Sequence, residues 1–282
     1  MENLTQLVAD DFFSVLELTW IKDSGTRKAT RDIAESARVT LTYGAQMALL
    51  SQKLDLNSVD NSQRSKAVQE VKICLDEASE LGAERLSLLS GFDPGESQRK
   101  SARELFADSL REICAYGEQR EIGVTLETFD REVEKRCLIG PSREAVALAR
   151  TIRKEYPSFG IMYDMAHGPL LNENPRTALR LLKDYLVHIH LGNCVKTQGH
   201  PAYGDRHPRF GVEGGEHDVE DLTRFLKILF DIGYLGKRAE RSRKLPIVGF
   251  EIKPLPGEKS EAVLAGTKRV WRQAWAQLQR RS

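Results

Sequence analysis

Short apolar runs alternate with amphipathic stretches along most of the chain, and this alternation predicts strands joined by helical crossovers. The expected strands are 14–20, 39–44, 85–90, 123–129, 159–165, 186–192 and 247–253. Each is nearly continuously apolar, as parallel strands covered on both faces should be. Between them, Val68, Val71, Leu75, Ala78 and Leu81 fall at helical spacing and Gly82 supplies a stop. Leu105, Ser109, Ile113 and Tyr116 trace a second stripe. Ser142 opens a third helix carrying Ala145, Leu148, Ala149 and Ile152. Asn174-Pro175 opens a fourth with Ala178, Leu181, Leu182 and Tyr185, and Asp218 a fifth with Leu222, Phe225, Leu226, Leu229 and Ile232. Two stretches break the pattern. Residues 192–218 are rich in Gly, Pro, His and Asp with no helical stripe, which suits a functional loop. Residues 237–244 are a basic run with one glutamate, read as a solvated connection.

Regular βα repetition over 282 residues favours an α/β chain of the closed (β/α)8 TIM-barrel type, as one domain over 1–282, rather than an open sheet. Lys and Arg (42) nearly cancel Asp and Glu (41), so there is no electrostatic footprint for nucleic acid or an anionic membrane. No apolar run approaches the ~18–20 residues that span a bilayer. Residues 1–11 lack the basic start and apolar core of a signal peptide. Cys74, Cys114, Cys137 and Cys194 show no CxxC spacing and read as buried thiols. The expectation is a cytoplasmic protein with neither nucleic-acid nor membrane partners.

In an α/β barrel the chemistry sits at the C-terminal ends of the strands, so polar residues there carry the most weight. Four consecutive late strands each deliver one: Glu127, Asp164, His190 and Glu251. Each follows an apolar run that should be buried. An unpaired buried carboxylate costs ~5 kcal/mol or more, so it must be paired, protonated or metal-bound. Any one of these acids alone could cap a helix or meet an arginine. Three of them converging with an imidazole would repel one another without a cation. This oxygen-rich donor set suits Mn²⁺ or Mg²⁺, with Zn²⁺ or Co²⁺ as alternatives.

Leu126-Glu127, Asp164-Met-Ala-His167, His188-Ile-His190-Leu-Gly and Phe250-Glu251 resemble the motifs of the xylose-isomerase-like sugar isomerase/epimerase superfamily. That superfamily includes the ketose 3-epimerases and, more distantly, the apurinic-site endonucleases. The resemblance implies one divalent metal ion held by Glu127, Asp164, His190 and Glu251, with Glu127 and Glu251 as acid/base catalysts on opposite faces of a sugar. It implies that His167 contacts a substrate oxygen. His188 points the same way as His190, one layer deeper. It is grouped with the substrate-binding candidates, either as a support behind His190 or as a structural residue. In the endonucleases an Asp-x-His completes a multi-zinc site. Asp205-Arg-His207 matches it, but 42–46 and 89–91 lack the histidines those enzymes place after earlier strands. Asp205 and His207 are therefore read as substrate-binding residues, and DNA repair is set aside. Lesser substrate candidates are Gln46, Glu17, Trp20, Tyr43 and Phe129. Residues 211–215 are read as an adaptable loop, and His200 and His217 as solvent-exposed.

The family barrel has eight strands, and the count here reaches seven, lacking the first. Three explanations stand: truncation upstream, an overlooked strand, or a barrel open on that side, which would invite a partner copy. The expected activity is metal-dependent sugar isomerisation or epimerisation through an enediolate, on a small sugar, in a homo-oligomer. The alternatives are a metal-dependent lyase or deglycosidase acting on an oxidised sugar or glycoside, and a non-catalytic metal-binding barrel.

Overall fold

The computed structural model describes residues 2–236, 239 and 246–281. The basic run 237–244, apart from Ala239, lies outside the described residues. The chain divides into two compact units, one made of Met1–Glu127, Cys137–Ile139 and Ala147–Gly160, the other of Thr128–Arg136, Gly140–Val146 and Ile161–Ser282.

The first unit runs α1 (Glu2–Val8), β1 (Val15–Leu18), α2 (Ser24–Ser36), β2 (Thr40–Gly44), α3 (Gln46–Ser51), α4 (Asn61–Leu81), β3 (Arg85–Leu88), a 3-10 turn at Glu96–Gln98, α5 (Arg99–Glu118) and β4 (Gly123–Glu127). Its strands pair in parallel and in chain order. Helix α4 begins where the Asp60 carboxylate accepts from the amides of Ser62 and Gln63, and it ends at Gly82 in the left-handed region (φ 73°). The anticipated stripe of Val68, Val71, Leu75, Ala78 and Leu81 is its buried face. Helix α2 escapes an apolar-stripe reading because its inward residues are Arg27, Thr30 and Ala34. The Arg27 guanidinium is buried by donating to Glu80 (2.6 Å) and to the carbonyls of Ile21 (2.6 Å) and Lys22 (2.8 Å).

The second unit takes the first residues of α6 (Ser142–Ile152), most of β5 (Gly160–Asp164), and then α7 (His167–Leu170), α8 (Pro175–Leu182), β6 (Leu186–Leu191), α9 (Val219–Asp231), β7 (Ile247–Phe250) and α10 (Ser260–Arg281). Strands β5, β6 and β7 pair in parallel. Asn174 caps α8 ahead of Pro175, and Asp218 forms a capping box with Asp221 at the start of α9. Helices α9 and α10 pack through Phe230, Trp271 and Trp275, and Phe250 of β7 meets Trp271 edge to face. The loop 192–218 is organised by two isolated bridges from Val195, to Tyr203 and to Gly215.

The strands therefore number seven among the described residues, as counted from the sequence, and α1 precedes β1. All four cysteines are buried and none is in a disulfide. No described helix is long and apolar enough to cross a membrane. Two expectations about exposure fail. His217 is half-buried, its Nε2 3.0 Å from the Met165 carbonyl, and His200 is half-buried with Nδ1 accepting from the Ala202 amide (3.0 Å). Both are drawn in by backbone groups that need a partner away from water.

Candidate metal centre

Strand register assembles the core of the site. Asp164 at the end of β5 pairs with His190 of β6, and His190 pairs with Gly249 of β7. Glu251 lies two residues beyond Gly249, so its side chain leaves β7 on the same side. A register shift between Ile161 and Met162 sets this alignment, placing His188 opposite Met162 and His190 opposite Asp164. His190 Nδ1 then stands 2.9 Å from Glu251 Oε2 and 3.6 Å from Asp164 Oδ2. The potential ligand atoms of Asp164, His190 and Glu251 all lie within 4.8 Å of one another.

Asp164 is wholly buried, and its Oδ2 has no hydrogen-bond partner. Burial pushes its carboxyl above the usual range, against the pull of His167 and His207. At Glu251 burial opposes ionisation too, but the charge of His207 and the bond from His190 outweigh it and hold the carboxyl down to about 2. Two carboxylates and an imidazole facing one point, with an unsatisfied buried oxygen among them, fit a divalent cation.

Beside these residues lies a second cluster in the same unit. His167 opens α7, wholly buried, with Nδ1 2.7 Å from the Thr128 carbonyl and Nε2 3.0 Å from Asp205 Oδ1. A carbonyl only accepts, so Nδ1 carries the hydrogen. The Phe129 ring packs on the imidazole at 4.5 Å. His207 Nε2 approaches the same Asp205 oxygen (2.8 Å) and lies 3.5 Å from Glu251 Oε1. Burial disfavours the charged imidazole, yet Glu251 and Asp205 raise His207 to about 9. Asp205 is held well below the usual carboxylate range, because His167 and His207 overcome the effect of burial. His207 has φ 48°, a left-handed conformation that costs energy for a residue with a Cβ. The Lys253 amide donates to its carbonyl (2.7 Å), and a Cβ on Gly192 would come within 2.9 Å of its Nδ1.

In the first unit Glu127 ends β4, 2% exposed, and its Oε2 accepts from Gln46 Nε2 (2.7 Å). Gln46 Nε2 also reaches Ser87 Oγ (3.1 Å), which contacts Glu17 Oε2 (3.3 Å). The chain thus leaves β2 beside a polar string, and Gly44 leaves room for it: a Cβ there would meet Gln46 Oε1 at 2.9 Å. Tyr43, considered for substrate contact, is instead wholly buried, donating to Glu77 (2.6 Å) and accepting from the Trp20 amide (3.0 Å). Trp20 lies under the Lys22 ammonium, 4.1 Å from its ring centroid. His188 is buried, its ring 4.7 Å from that of His190 and nearly perpendicular to it.

Sequence reasoning missed Lys135 and Glu134. Lys135 Nζ lies 3.0 Å from Asp205 Oδ2, and Glu134 Oε2 accepts from the Asp205 amide (2.8 Å). Their stretch, Asp130-Arg-Glu-Val-Glu-Lys135-Arg, reads as a solvated charge run. The usable signal was Asp130 at the head of the loop. Its carboxylate accepts from the amides of Val133, Glu134 and Lys135 and turns the loop inward.

A family model described as a xylose isomerase-like TIM barrel matches residues 9–238, most of the chain. The chain belongs to that family. No curated protein matches the sequence. Among solved structures it is similar to a D-tagatose 3-epimerase-like protein (18% identity, TM-score 0.74, covering 98% of this chain and 93% of that one). It is also similar to the D-psicose 3-epimerase of Clostridium cellulolyticum H10 (17%, 0.70, 98% and 93%). A third similar structure is the IOLI protein with a binding zinc atom (12%, 0.74, 99% and 94%). At these identities the likeness establishes the TIM-barrel fold.

Proposed function

We propose that this chain is a divalent-metal-dependent sugar isomerase or epimerase, with Glu127, Asp164, His190 and Glu251 as the metal ligands. The observation that carries the reading is the buried Asp164 Oδ2 without a hydrogen-bond partner, aligned by strand register with His190 and with Glu251 beyond it. Family membership and the epimerases among the similar structures support the sugar assignment.

When bound, the metal supplies Lewis-acid polarisation of a carbonyl, which acidifies the neighbouring C–H. The remaining work falls to side chains. Glu251 is ionised at neutral pH, as a base must be, and removes a proton from the carbon next to the carbonyl to leave an enediolate. Glu127 handles the proton on the opposite face, oriented by the amide of Gln46. Returning the proton to the opposite face gives the epimer. His207, protonated near neutrality, donates to a substrate oxygen through Nδ1 while Asp205 holds its Nε2, and His167, spanning the Thr128 carbonyl and Asp205, fixes Asp205 in place.

The test is a panel of ketoses incubated in D₂O with the Mn²⁺- or Mg²⁺-loaded protein and read by NMR. Solvent deuterium should enter the carbon next to the carbonyl. Turnover without that label would sink the proton-transfer reading. Products smaller than the substrate would point instead to bond cleavage. Metal binding with no turnover, unchanged in Glu127→Gln and Glu251→Gln variants, would mark a non-catalytic barrel.

A further inference from the structure

The second cluster raises a question of its own, because two imidazoles and a carboxylate are also a good donor set for a divalent ion. The Nε2 atoms of His167 and His207 stand 3.0 and 2.8 Å from one oxygen of Asp205. Ligand atoms of Asp164, His167 and His207 lie within 4.8 Å of one another, all buried. What sets this cluster apart is its fourth partner. Lys135 Nζ lies 3.0 Å from the other Asp205 oxygen and 3.1 Å from Glu134 Oε1. Glu134 in turn accepts from the Asp205 amide (2.8 Å) through its second oxygen, so the ammonium is fixed from two sides. The Lys135 side chain is 19% exposed and that of Asp205 3%.

We infer that Lys135 is a built-in cation of this site, which neutralises Asp205 and closes the His167–Asp205–His207 cluster to a second metal ion. A buried carboxylate needs compensating charge, and at the Asp205 oxygen that the imidazoles leave free a covalently tethered ammonium provides it. A divalent ion entering between the imidazoles would share Asp205 with that ammonium across a few ångströms of poorly screened space, and repulsion at that range is strong. Without Lys135, Asp205 keeps only the two imidazoles as partners, and these, unlike the ammonium, can give up their protons and turn their nitrogens to an incoming cation. The cluster therefore stays in its hydrogen-bonded form and presents the Nδ1 of His207 rather than a metal. This rests on the single-metal reading above and assigns a role to a residue outside that metal's ligands.

The experiment counts ions. Chelator-stripped protein is dialysed to equilibrium against Zn²⁺ alone, and zinc per chain is measured by mass spectrometry for wild type, Lys135→Ala and the double variant Lys135→Ala/His207→Ala. The expected counts are one, two and one. A Lys135→Ala protein that is folded by circular dichroism and binds no more zinc than wild type overturns the inference, as does a wild type that already binds two. Lys135→Met keeps the packing of the alkyl stem and is read the same way if Lys135→Ala fails to fold. A wild type binding none would refute the metal reading of Glu127, Asp164, His190 and Glu251. The role of Lys135 would then still be decided by the gain, or lack of gain, of one ion on its replacement.

Discussion

His190 Nδ1 meets Glu251 Oε2 at 2.9 Å, joining the end of β6 to the first residue after β7. With the charge of His207, this contact holds the Glu251 carboxyl in its ionised form, the form a proton acceptor needs. Glu251→Gln keeps the shape and removes the charge. Turnover in the D₂O assay should fall by about 10²–10⁴-fold, the usual contribution of a positioned acid/base group. A variant within twofold of wild type would exclude Glu251 as the base.

Metal removal should cost stability. Stabilisation by a bound ligand is about 2.7 kcal/mol when it is present at ~100 times its Kd. For a chain of this size that corresponds to several degrees in Tm. Dialysis against EDTA should lower the melting temperature by that much, and Mn²⁺ or Mg²⁺ should restore it. Asp164→Asn should melt at the same temperature with and without metal.

Asp205 predicts a pH dependence in the metal-free protein. Its folded carboxyl titrates well below the ~3.9 of an unfolded aspartate, because His167 and His207 favour the charged form over the opposing effect of burial. The unfolded chain therefore takes up the proton first as pH falls. The contribution is complete above about pH 5 and drains away below about pH 4, toward the folded value. Urea unfolding between about pH 5 and pH 3 should show stability falling more steeply in wild type than in Asp205→Asn. Equal slopes would contradict the assignment.

Gly192→Ala tests how tightly the loop is drawn over the site. The added Cβ would lie 2.9 Å from His207 Nδ1 and 3.1 Å from the Glu251 carbonyl. Overpacking of this kind costs about 1–3 kcal/mol. The variant should unfold at lower urea concentration and bind metal or sugar more weakly, since His207 and the Glu251 backbone must give way. An unchanged midpoint would mean that the loop yields freely.

The alternation of apolar runs and stripes was enough to locate all seven strands of the described residues and most of their helices, because burial on both faces leaves a continuous apolar signature. The polar residues ending those runs stood out for the same reason. Glu127, Asp164, His190 and Glu251 could each be named from their own strand. Helix α2 could not be read from its apolar positions, since its inward face is Arg27 and Thr30, made burial-competent by partners distant in sequence.

Only the tertiary structure decided how Asp164, His190 and Glu251 meet. The register shift at Ile161/Met162 that sets Asp164 against His190, the left-handed backbone of His207, and the inward turn of Lys135 around Asp130 leave no periodic trace. Hydrophobic pattern records which side of an element is buried, one residue at a time. A charge made buriable with the help of an opposite charge seventy residues away, as Lys135 is by Asp205 beside its neighbour Glu134, depends on a contact that no local pattern encodes.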